Sequence, residues 1–223
     1  MTKKEREELQ RERYRIMREF DLQAAQAQTS GHIIMAGIDE AGRGPLAGPV
    51  VAACAVLGEE FDVIGIDDSK KLSEKRREEL FGQITSKALA YGVGMADNNV
   101  IDDINILNAT KKAMQEAVQA ASAMLEKKTG EKIGLLLIDA VSLEDVMIPQ
   151  QAIIKGDAKS LSVAAASIIA KVTRDRLMLD YHKQYPMYGF DKNKGYGTKA
   201  HYQAIEQNGI TTIHRKTFLK NIL

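Results

Sequence analysis

Acidic residues stand at the ends of three apolar segments of the sequence. Asp39 and Glu40 follow the first segment directly, Asp139 follows the second, and Asp157 comes shortly after the third, which is the weakest instance. Ionised carboxylates at the end of a buried strand must be solvated, paired with a cation or bound to a metal ion. Four carboxylates in one cleft repel one another, and divalent cations offset that repulsion. Because all the donor atoms are oxygens, the sequence predicts Mg²⁺ or Mn²⁺ rather than Zn²⁺.

A glycine-rich loop follows the first acidic pair. Residues 41–49 read Ala-Gly-Arg-Gly-Pro-Leu-Ala-Gly-Pro, and a second apolar run begins directly after them. Glycines at positions 42 and 44 allow the backbone to come close to a bound molecule. The plain alternative for Asp39 and Glu40 is a surface turn that carries two acids. Adjacent side chains of a regular strand point to opposite faces, so both carboxylates reach one ion cluster only if the strand ends or distorts there.

The remaining acidic pairs and the histidines are interpreted as structural. The pairs at positions 67–68 and 102–103 fall in stretches typical of loops or helix starts, where acids serve as caps and complement the helix dipole. The histidines lack metal-ligand spacing, and we expect each at the surface or in a cap: His32, His182, His201 and His214. The sequence contains no Walker-type loop, no G-x-G-x-x-G after a strand and no G-x-S-x-G elbow.

The composition predicts one sizeable soluble domain. The chain has 223 residues, of which 44% are hydrophobic and 27% charged. The longest uninterrupted apolar run, residues 50–57, is too short to span a bilayer, and the charged N-terminus lacks the apolar core of an export signal. The single cysteine, Cys54, lies in that apolar run and predicts a buried, inert thiol. Together these features predict a cytoplasmic protein that makes no membrane contact.

The net charge of +1 hides an asymmetry between the two ends of the chain. Residues 171–223 contain ten lysines and arginines against four acids, a charge of +6, so residues 1–170 carry −5. A carboxylate-rich body beside a basic C-terminal part suits an enzyme that acts on a polyanion. A solvated helical face gives the same count, and charge alone does not separate the two interpretations.

The elements that would position these residues alternate between strands and helices. Strands are predicted at residues 33–39, 50–57, 92–96, 133–138 and 152–154, with a short extended piece at 61–66. Helices are predicted at residues 1–28, 73–91, 105–128, 162–185 and 198–209, two of them capped by Ser73 and Thr198. We expect an α/β domain over residues 31–223, with a helical C-terminal lobe from about residue 160. Residues 1–30 form a separate helical extension that docks on the body or on nucleic acid, an alternative that the sequence leaves open.

The first helix and the helix at 105–128 each have a predicted buried face. The apolar stripe of the first helix comprises Tyr14, Ile16, Met17, Phe20 and Leu22. The inward face of the helix at 105–128 comprises Leu107, Met114, Val118, Ala121 and Leu125, with Gly130 beyond its end.

Several motifs, taken in order, resemble those of the ribonuclease HII family over nearly all of residues 33–220. They are residues 39–49 (Asp-Glu-Ala-Gly-Arg-Gly-Pro-Leu-Ala-Gly-Pro), 68–73 (Asp-Ser-Lys-Lys-Leu-Ser), 138–140 (Ile-Asp-Ala), 155–157 (Lys-Gly-Asp), 160–167 (Ser-Leu-Ser-Val-Ala-Ala-Ala-Ser) and 194–198 (Lys-Gly-Tyr-Gly-Thr). Related ribonuclease HIII enzymes carry a lysine at the position of Arg43, so the Gly-Arg-Gly form favours type HII.

The resemblance implies a ribonuclease-H-like fold, with a mixed sheet of about five strands flanked by helices. It implies that Asp39, Glu40, Asp139 and Asp157 are the catalytic, metal-binding acids, with Mn²⁺ or Mg²⁺ as cofactor. The reaction it implies is two-metal-type hydrolysis of the phosphodiester 5′ to a ribonucleotide, leaving 3′-hydroxyl and 5′-phosphate ends. The substrates would be RNA–DNA hybrids and duplex DNA with embedded ribonucleotides, the enzyme a monomer, and its role the excision of ribonucleotides in DNA replication and repair.

The resemblance also implies how such a substrate is recognised. Gly42, Arg43 and Gly44 would contact the ribose 2′-hydroxyl, the one group that separates RNA from DNA at a given position. Tyr196 would stack on the sugar of the following deoxynucleotide. The lysines expected to contact substrate are Lys70, Lys71, Lys192 and Lys194.

Two rival functions come from other classes. A non-catalytic nucleic-acid-binding protein explains the basic C-terminal part but not three apolar segments that end in acids. Another metal-dependent nuclease of the same broad fold, such as a resolvase, has no use for a loop that reads the 2′-hydroxyl.

Overall fold

A five-stranded mixed sheet forms the centre of the protein. In this computed structural model, residues 2–28 and 33–220 are described. The strands are β1 (Met35–Ala41), β2 (Val50–Val56), β3 (Ala90–Ala96), β4 (Leu135–Asp139) and β5 (Gln150–Ile153). They lie in the order β3-β2-β1-β4-β5, with β1 antiparallel to β2, β2 antiparallel to β3, and β1, β4 and β5 mutually parallel along the sheet. This arrangement confirms the predicted α/β fold class.

Helices cover both faces of the sheet. They are α1 (Lys3–Gln28), α2 (Glu74–Lys87), α3 (Asn98–Thr129), α4 (Leu161–Gln184), α5 (Phe190–Asn193) and α6 (Lys199–Asn208). Alternate residues of β2 pack on opposite faces, with Ala52 and Cys54 toward α3 and Ala53 and Ala55 toward α2 and α4. Cys54 is fully buried, as predicted. In the described part of the chain, no helix is long and apolar enough to cross a membrane.

Helix α4 packs unusually close to the central strand. A Cβ atom on Gly37 of β1 would lie 2.1 Å from the carbonyl carbon of Ser162, so only glycine fits there. The first half of α4 is a run of small and apolar residues buried against the sheet. Ser160 caps the helix by accepting a hydrogen bond from the backbone N–H of Val163, at 3.2 Å. The close approach brings the side chains of α4 to the C-terminal end of β1.

Helix α3 differs from its prediction in start and face. It begins at Asn98 and is broken at Asn105 (φ 66°, ψ 165°), where the second segment starts at the predicted position. The Asn105 side chain accepts from the backbone N–H groups of Leu107 and Asn108, which explains why the sequence signal for a helix start lies there. Leu107 is 42% exposed, contrary to its predicted inward position, because it lies in the first turn after the break.

Residues 61–66 form no strand: residues 64–65 are a turn and the others have no regular structure, although Phe61, Val63 and Ile66 are buried in the core. Their apolar character reflects packing beneath α2, and no neighbouring strand pairs with them in the described structure. Helix α2 ends at Lys87, before the predicted end near residue 91, because Ala90 already belongs to β3. Ser73 and Thr198 cap α2 and α6 as predicted.

The N-terminal helix α1 docks on the body. Met17 is fully buried, and Asp21, 2% exposed, accepts a hydrogen bond from the backbone N–H of Ser162 at 2.9 Å. The predicted stripe is wrong at Ile16 and Leu22, which are 53% and 47% exposed. The buried face follows the spacing of residues 14, 17, 21 and 24 and includes an acid, which an apolar pattern does not detect. The predicted helix end at residues 29–31 lies outside the described residues.

The C-terminal lobe has its own apolar cluster, built from Leu46, Met178, Tyr188, Phe190, Ala204, Ile205, Ile213 and Leu219. Two histidines are buried beside it, His201 at 0% and His214 at 1% exposure. The prediction of surface or capping histidines is therefore wrong for both, because internal hydrogen bonds satisfy their rings. His182 is half-buried, 3.4 Å from Asp191, and His32 lies outside the described residues. The division at residues 30 and 160 stays a prediction.

Candidate active site

The strand register brings two of the candidate acids to one edge of the sheet. Ile38 of β1 lies opposite Ile138 of the parallel strand β4. Asp39 and Asp139 follow these residues, so they stand side by side and point to the same face at the C-terminal ends of adjacent strands. Asp157 lies in a short 3₁₀ turn after β5, the next parallel strand.

Burial and the charges of neighbouring acids disfavour the charged forms of Asp39, Glu40 and Asp157. The pKa of Asp39 is raised well above its usual range by burial and by the charges of Glu40 and Asp139, which outweigh hydrogen bonds from Ser167 and the Glu40 amide. Burial and the charge of Asp139 also raise the pKa of Glu40, although Arg43 opposes them. Burial raises the pKa of Asp157. The four carboxylates therefore share one electrostatic environment.

Each carboxylate has a partner of its own. Asp39 accepts from the Glu40 backbone N–H and Asp139 from the Gly156 backbone N–H, both at 2.7 Å. An Arg43 guanidinium nitrogen lies 3.5 Å from the Glu40 carboxylate. The same kind of contact joins Asp157 to the Lys70 ammonium, at 3.7 Å.

The four acids do not converge on one point. Strand β1 continues to Ala41, so Asp39 and Glu40 leave the backbone on opposite sides, yet the Glu40 carboxylate still lies near enough to Asp139 and Lys70 for their charges to act on its pKa. No group of three or more His, Cys, Asp or Glu side chains is arranged to hold a metal ion among residues 2–28 and 33–220. The four acids still suit hard divalent cations, because every donor atom is an oxygen. The positive charges beside them are also too few to balance four carboxylates.

The glycine-rich loop is held from beneath by two buried arginines. Arg215 donates to the carbonyls of Gly42 at 2.6 Å, Arg43 at 2.8 Å and Gly48 at 3.0 Å. Arg174 donates to the carbonyls of residues 47, 49 and 194. Gly42 has φ +96°, and a Cβ there would lie 2.0 Å from the Arg174 Nε atom. The loop therefore requires glycine at this position and has a fixed backbone.

Tyr196 stands on the rim of the same cleft. It is 46% exposed, and a Cβ on Gly44 would lie 3.6 Å from its ring. The Arg174 guanidinium lies 6.0 Å from the ring centroid. The cleft is lined by Glu40, residues 41–44, Ser69, Lys70, Ser167, Lys171, Arg174 and Tyr196.

The candidate lysines have different surroundings. Lys70 points toward the acids, and although burial lowers its pKa, the carboxylates of residues 157, 39, 68 and 139 together raise it. Lys71 is exposed, with its ammonium 3.8 Å from Asp67. Lys192 is exposed, whereas the Lys194 side chain is 12% exposed and its ammonium donates to the Asp191 carbonyl at 2.7 Å.

Four site residues escaped the sequence argument: Ser69, Ser167, Arg174 and Arg215. The Ser69 and Ser167 hydroxyls lie 3.0 Å apart beside Asp39, and both arginines are buried. The one available signal was a serine at position 167 within an apolar run.

Of the other acids, Asp102 accepts from the backbone N–H groups of residues 216 and 217, a structural role as expected. Asp68 lies near enough to raise the pKa of Asp157, after burial the largest cause.

Comparison with known proteins decides the family. The sequence matches the model of the ribonuclease HII family over residues 36–221. The chain belongs to the ribonuclease HII family. Ribonuclease HII of Clostridioides difficile (strain 630) is 54% identical over 193 residues, or 86% of this chain and 72% of that protein. That of Enterococcus faecalis is 51% identical over 215 residues, or 96% of this chain and 81% of that protein. The chain is accordingly an endoribonuclease of the ribonuclease H type.

Solved structures agree with this ribonuclease HII assignment. The ribonuclease H2 of Pyrococcus horikoshii OT3 has a TM-score of 0.65 and 29% identity, covering 85% of this chain and 97% of that one. Ribonuclease HII of Archaeoglobus fulgidus, solved in a complex with PCNA, has a TM-score of 0.66 and 26% identity, with coverage of 85% and 95%. Bst-RNase HIII in complex with Mn²⁺ has a TM-score of 0.63, coverage of 86% and 66%, and 22% identity, a likeness of fold.

Proposed function

We propose that this ribonuclease HII hydrolyses the phosphodiester 5′ to ribonucleotides, both in RNA–DNA hybrids and at single ribonucleotides in duplex DNA. The products are 3′-hydroxyl and 5′-phosphate ends. The observation that carries the proposal is the register of β1 and β4, which places Asp39 beside Asp139 at the edge next to the loop of Gly42 and Arg43. Acids and loop therefore face one substrate.

The proposed cofactor is Mn²⁺ or Mg²⁺, held by Asp39, Glu40, Asp139 and Asp157. When bound, such ions supply an activated water and stabilise the leaving oxygen of the phosphodiester. Each carboxylate has two oxygens with about four lone-pair sites, so it can keep the single partner described above and still offer an oxygen to a cation.

Recognition of the ribonucleotide falls to the loop and to the rim of the cleft. The rigid backbone of Gly42, Arg43 and Gly44 offers polar groups in fixed positions for the 2′-hydroxyl. Tyr196 offers a ring face to the following sugar. Lys70, Lys71 and Lys192 supply phosphate contacts, whereas Lys194 would first have to leave its internal partners. We place the enzyme in the cytoplasm as a monomer that excises ribonucleotides from DNA.

A nicking assay tests this proposal. We expect the protein with Mg²⁺ or Mn²⁺ to nick a duplex 5′ to its one embedded ribonucleotide, and Asp139→Asn to abolish the nick. The asparagine oxygen still accepts from the Gly156 N–H, so folding is retained. Asp103→Asn, an exposed acid in α3, is the matched control and keeps full activity.

Three results contradict the proposal. One is binding of the duplex without a nick, which fits a non-catalytic binding protein. Another is cleavage of all-DNA duplexes at the same rate, which fits a resolvase-like nuclease. A third is an Asp139→Asn variant that folds normally and keeps a rate within a few-fold of the unmodified protein.

A further inference from the structure

Two buried histidines form a hydrogen-bonded pair behind the substrate cleft. The Nε2 atoms of His201 and His214 lie 3.1 Å apart. Tyr188 and Phe190 pack edge-on against the two rings and help to exclude water. The acids of the cleft do not touch this pair, so the proposed chemistry leaves it unexplained.

The partners at each end of the pair fix where its protons lie. His201 Nδ1 is 2.9 Å from the Tyr196 carbonyl oxygen, which can only accept, so His201 carries its proton on Nδ1. Its Nε2 is then an acceptor, and His214 must donate from its own Nε2. His214 Nδ1 is left as an acceptor, and the Thr211 backbone N–H donates to it at 2.9 Å. Assigning the ring protons from the Tyr196 carbonyl or from the Thr211 N–H gives the same arrangement.

This arrangement holds only while both rings are neutral. A proton added to His201 Nε2 would face the His214 N–H. One added to His214 Nδ1 would break the bond from the Thr211 N–H and leave the Thr211 hydroxyl, 2.8 Å away, as its acceptor. Burial lowers the pKa of both histidines, that of His214 to about 4, with the charge of His201 as its next cause. The geometry and the burial therefore favour the same state.

The pair joins the two elements that contact substrate. At one end it holds the main chain of Tyr196. At the other, His214 precedes Arg215, whose side chain donates to the carbonyls of Gly42 and Arg43. The backbone N–H of Arg215 also donates to the Leu46 carbonyl, at 2.8 Å. A path of hydrogen bonds, joined by the peptide bond between His214 and Arg215, thus runs from the tyrosine to the glycine-rich loop, in addition to the direct bond from the Leu46 N–H to the Gly195 carbonyl at 2.8 Å.

We propose that His201 and His214 are positioning residues that hold Tyr196 in register with the loop of Gly42 and Arg43. Loss of the contact to the Tyr196 carbonyl lets the ring move relative to the site that reads the 2′-hydroxyl. The effect falls on substrates where both must engage at once, namely a single ribonucleotide followed by deoxynucleotides. This inference rests on the proposed function for its substrate, but its geometry does not.

Two substitutions of His201 separate positioning from mere packing. In His201→Asn the amide nitrogen takes the place of Nδ1 and still donates to the Tyr196 carbonyl, while the contact to His214 is lost. In His201→Gln the amide oxygen takes the place of Nε2 and still accepts from His214, while the contact to Tyr196 is lost. Each variant loses one hydrogen bond, but His201→Asn leaves the buried His214 Nε2–H without its acceptor, whereas in His201→Gln the Tyr196 carbonyl still accepts from the Thr198 backbone N–H at 2.8 Å. His201→Asn is therefore expected to lose at least as much thermal stability as His201→Gln.

We expect His201→Gln to slow cleavage at a single embedded ribonucleotide about tenfold, the value of one neutral hydrogen bond. His201→Asn should slow it no more than about threefold. Equal slowing by both variants, or slowing that tracks their melting temperatures, overturns the positioning role. Should either variant fail to fold, the spectrum of the unmodified protein decides instead.

Nitrogen-15 NMR of the imidazole rings tests the geometry without substrate. We expect a neutral ring protonated on Nδ1 for His201 and on Nε2 for His214. Reversed tautomers, or a charged ring at neutral pH, overturn the inference. If the tautomers are as expected but His201→Gln cleaves normally, positioning is wrong and the proposed function stands. If the unmodified protein cleaves no ribonucleotide substrate, the proposed function falls, and the NMR result still reports on the pair.

Discussion

Lys70 is a positive side chain whose charge acts on all four candidate acids. Its ammonium lies 3.7 Å from Asp157, and the charges of Asp39, Asp68 and Asp139 also act on it. The side chain is 80% exposed, so it is free to turn away when another cation binds. A lysine in this place both offsets the repulsion between the acids and competes with a divalent ion for Asp157.

We therefore predict that Lys70→Gln binds Mn²⁺ more tightly than the unmodified protein does. Two unit charges 4 Å apart interact by about 1 kcal/mol in water, so the Kd should fall about fivefold. Calorimetric titration of the substrate-free protein measures it. Lys71→Gln is the matched control, because its ammonium lies beside Asp67 instead. Weaker binding by Lys70→Gln, or an equal change in both variants, would refute this competition.

The sequence predicts which residues form the site better than how they are held. Asp39 and Asp139 could be found because a buried strand that ends in an acid is unusual. The register that sets them side by side depends on pairing between distant strands, and one chain does not reveal it. In the sequence, Arg174 and Arg215 count only toward the basic charge of residues 171–223, because their partners are main-chain carbonyls, which leave no mark on the residue types.

Among the elements, α1 has the least expected placement. It packs on the start of α4 through Asp21, and Arg13 donates to the Ala158 carbonyl at 2.5 Å, beside Asp157. It thus supports the turn that carries a candidate metal ligand. The sequence left open whether this helix docks on the body or on nucleic acid, and the structure decides for the body. Because Asp21 is an acid, a search for an apolar stripe does not identify it as a buried residue of α1.

Adjacent residues of α1 supply a matched test of that docking. Met17 is fully buried and Ile16 is 53% exposed. We predict that Met17→Ala lowers the free energy of unfolding by about 2 to 4 kcal/mol, through lost burial and a residual cavity. Ile16→Ala should change it by no more than about 0.5 kcal/mol. Urea denaturation measures both, and equal effects would show that α1 does not pack as described.

Across the whole molecule, the basic excess of residues 171–223 is smaller at the surface than the count implies. Arg174 and Arg215 are buried beneath the loop, and Lys171 and Arg176 pair with acids. Fewer lysines and arginines of residues 171–223 can therefore contact a nucleic acid than the charge count suggests. Lys192 is exposed and has no ion-pair partner in the described part of the chain. Net charge therefore favours a polyanion partner, and the structure selects which lysines can bind it.

The last prediction separates two lysines of that basic end. Lys192 lies in α5 and Lys194 directly follows that helix, but the Lys194 ammonium donates to the Asp191 carbonyl and lies 3.7 Å from Glu74. Each phosphate contact adds about 0.9 to the slope of log affinity against log salt for duplex DNA. Lys192→Ala should reduce that slope by about this amount without altering stability. Lys194→Ala should leave the slope unchanged and lower the melting temperature, because it removes an internal hydrogen bond. Binding measured by fluorescence anisotropy between about 50 and 200 mM salt gives the slopes. A flatter slope for Lys194→Ala would mean that its side chain leaves its internal partners to bind phosphate. An unchanged slope for Lys192→Ala would mean that other residues contact the phosphates of the duplex.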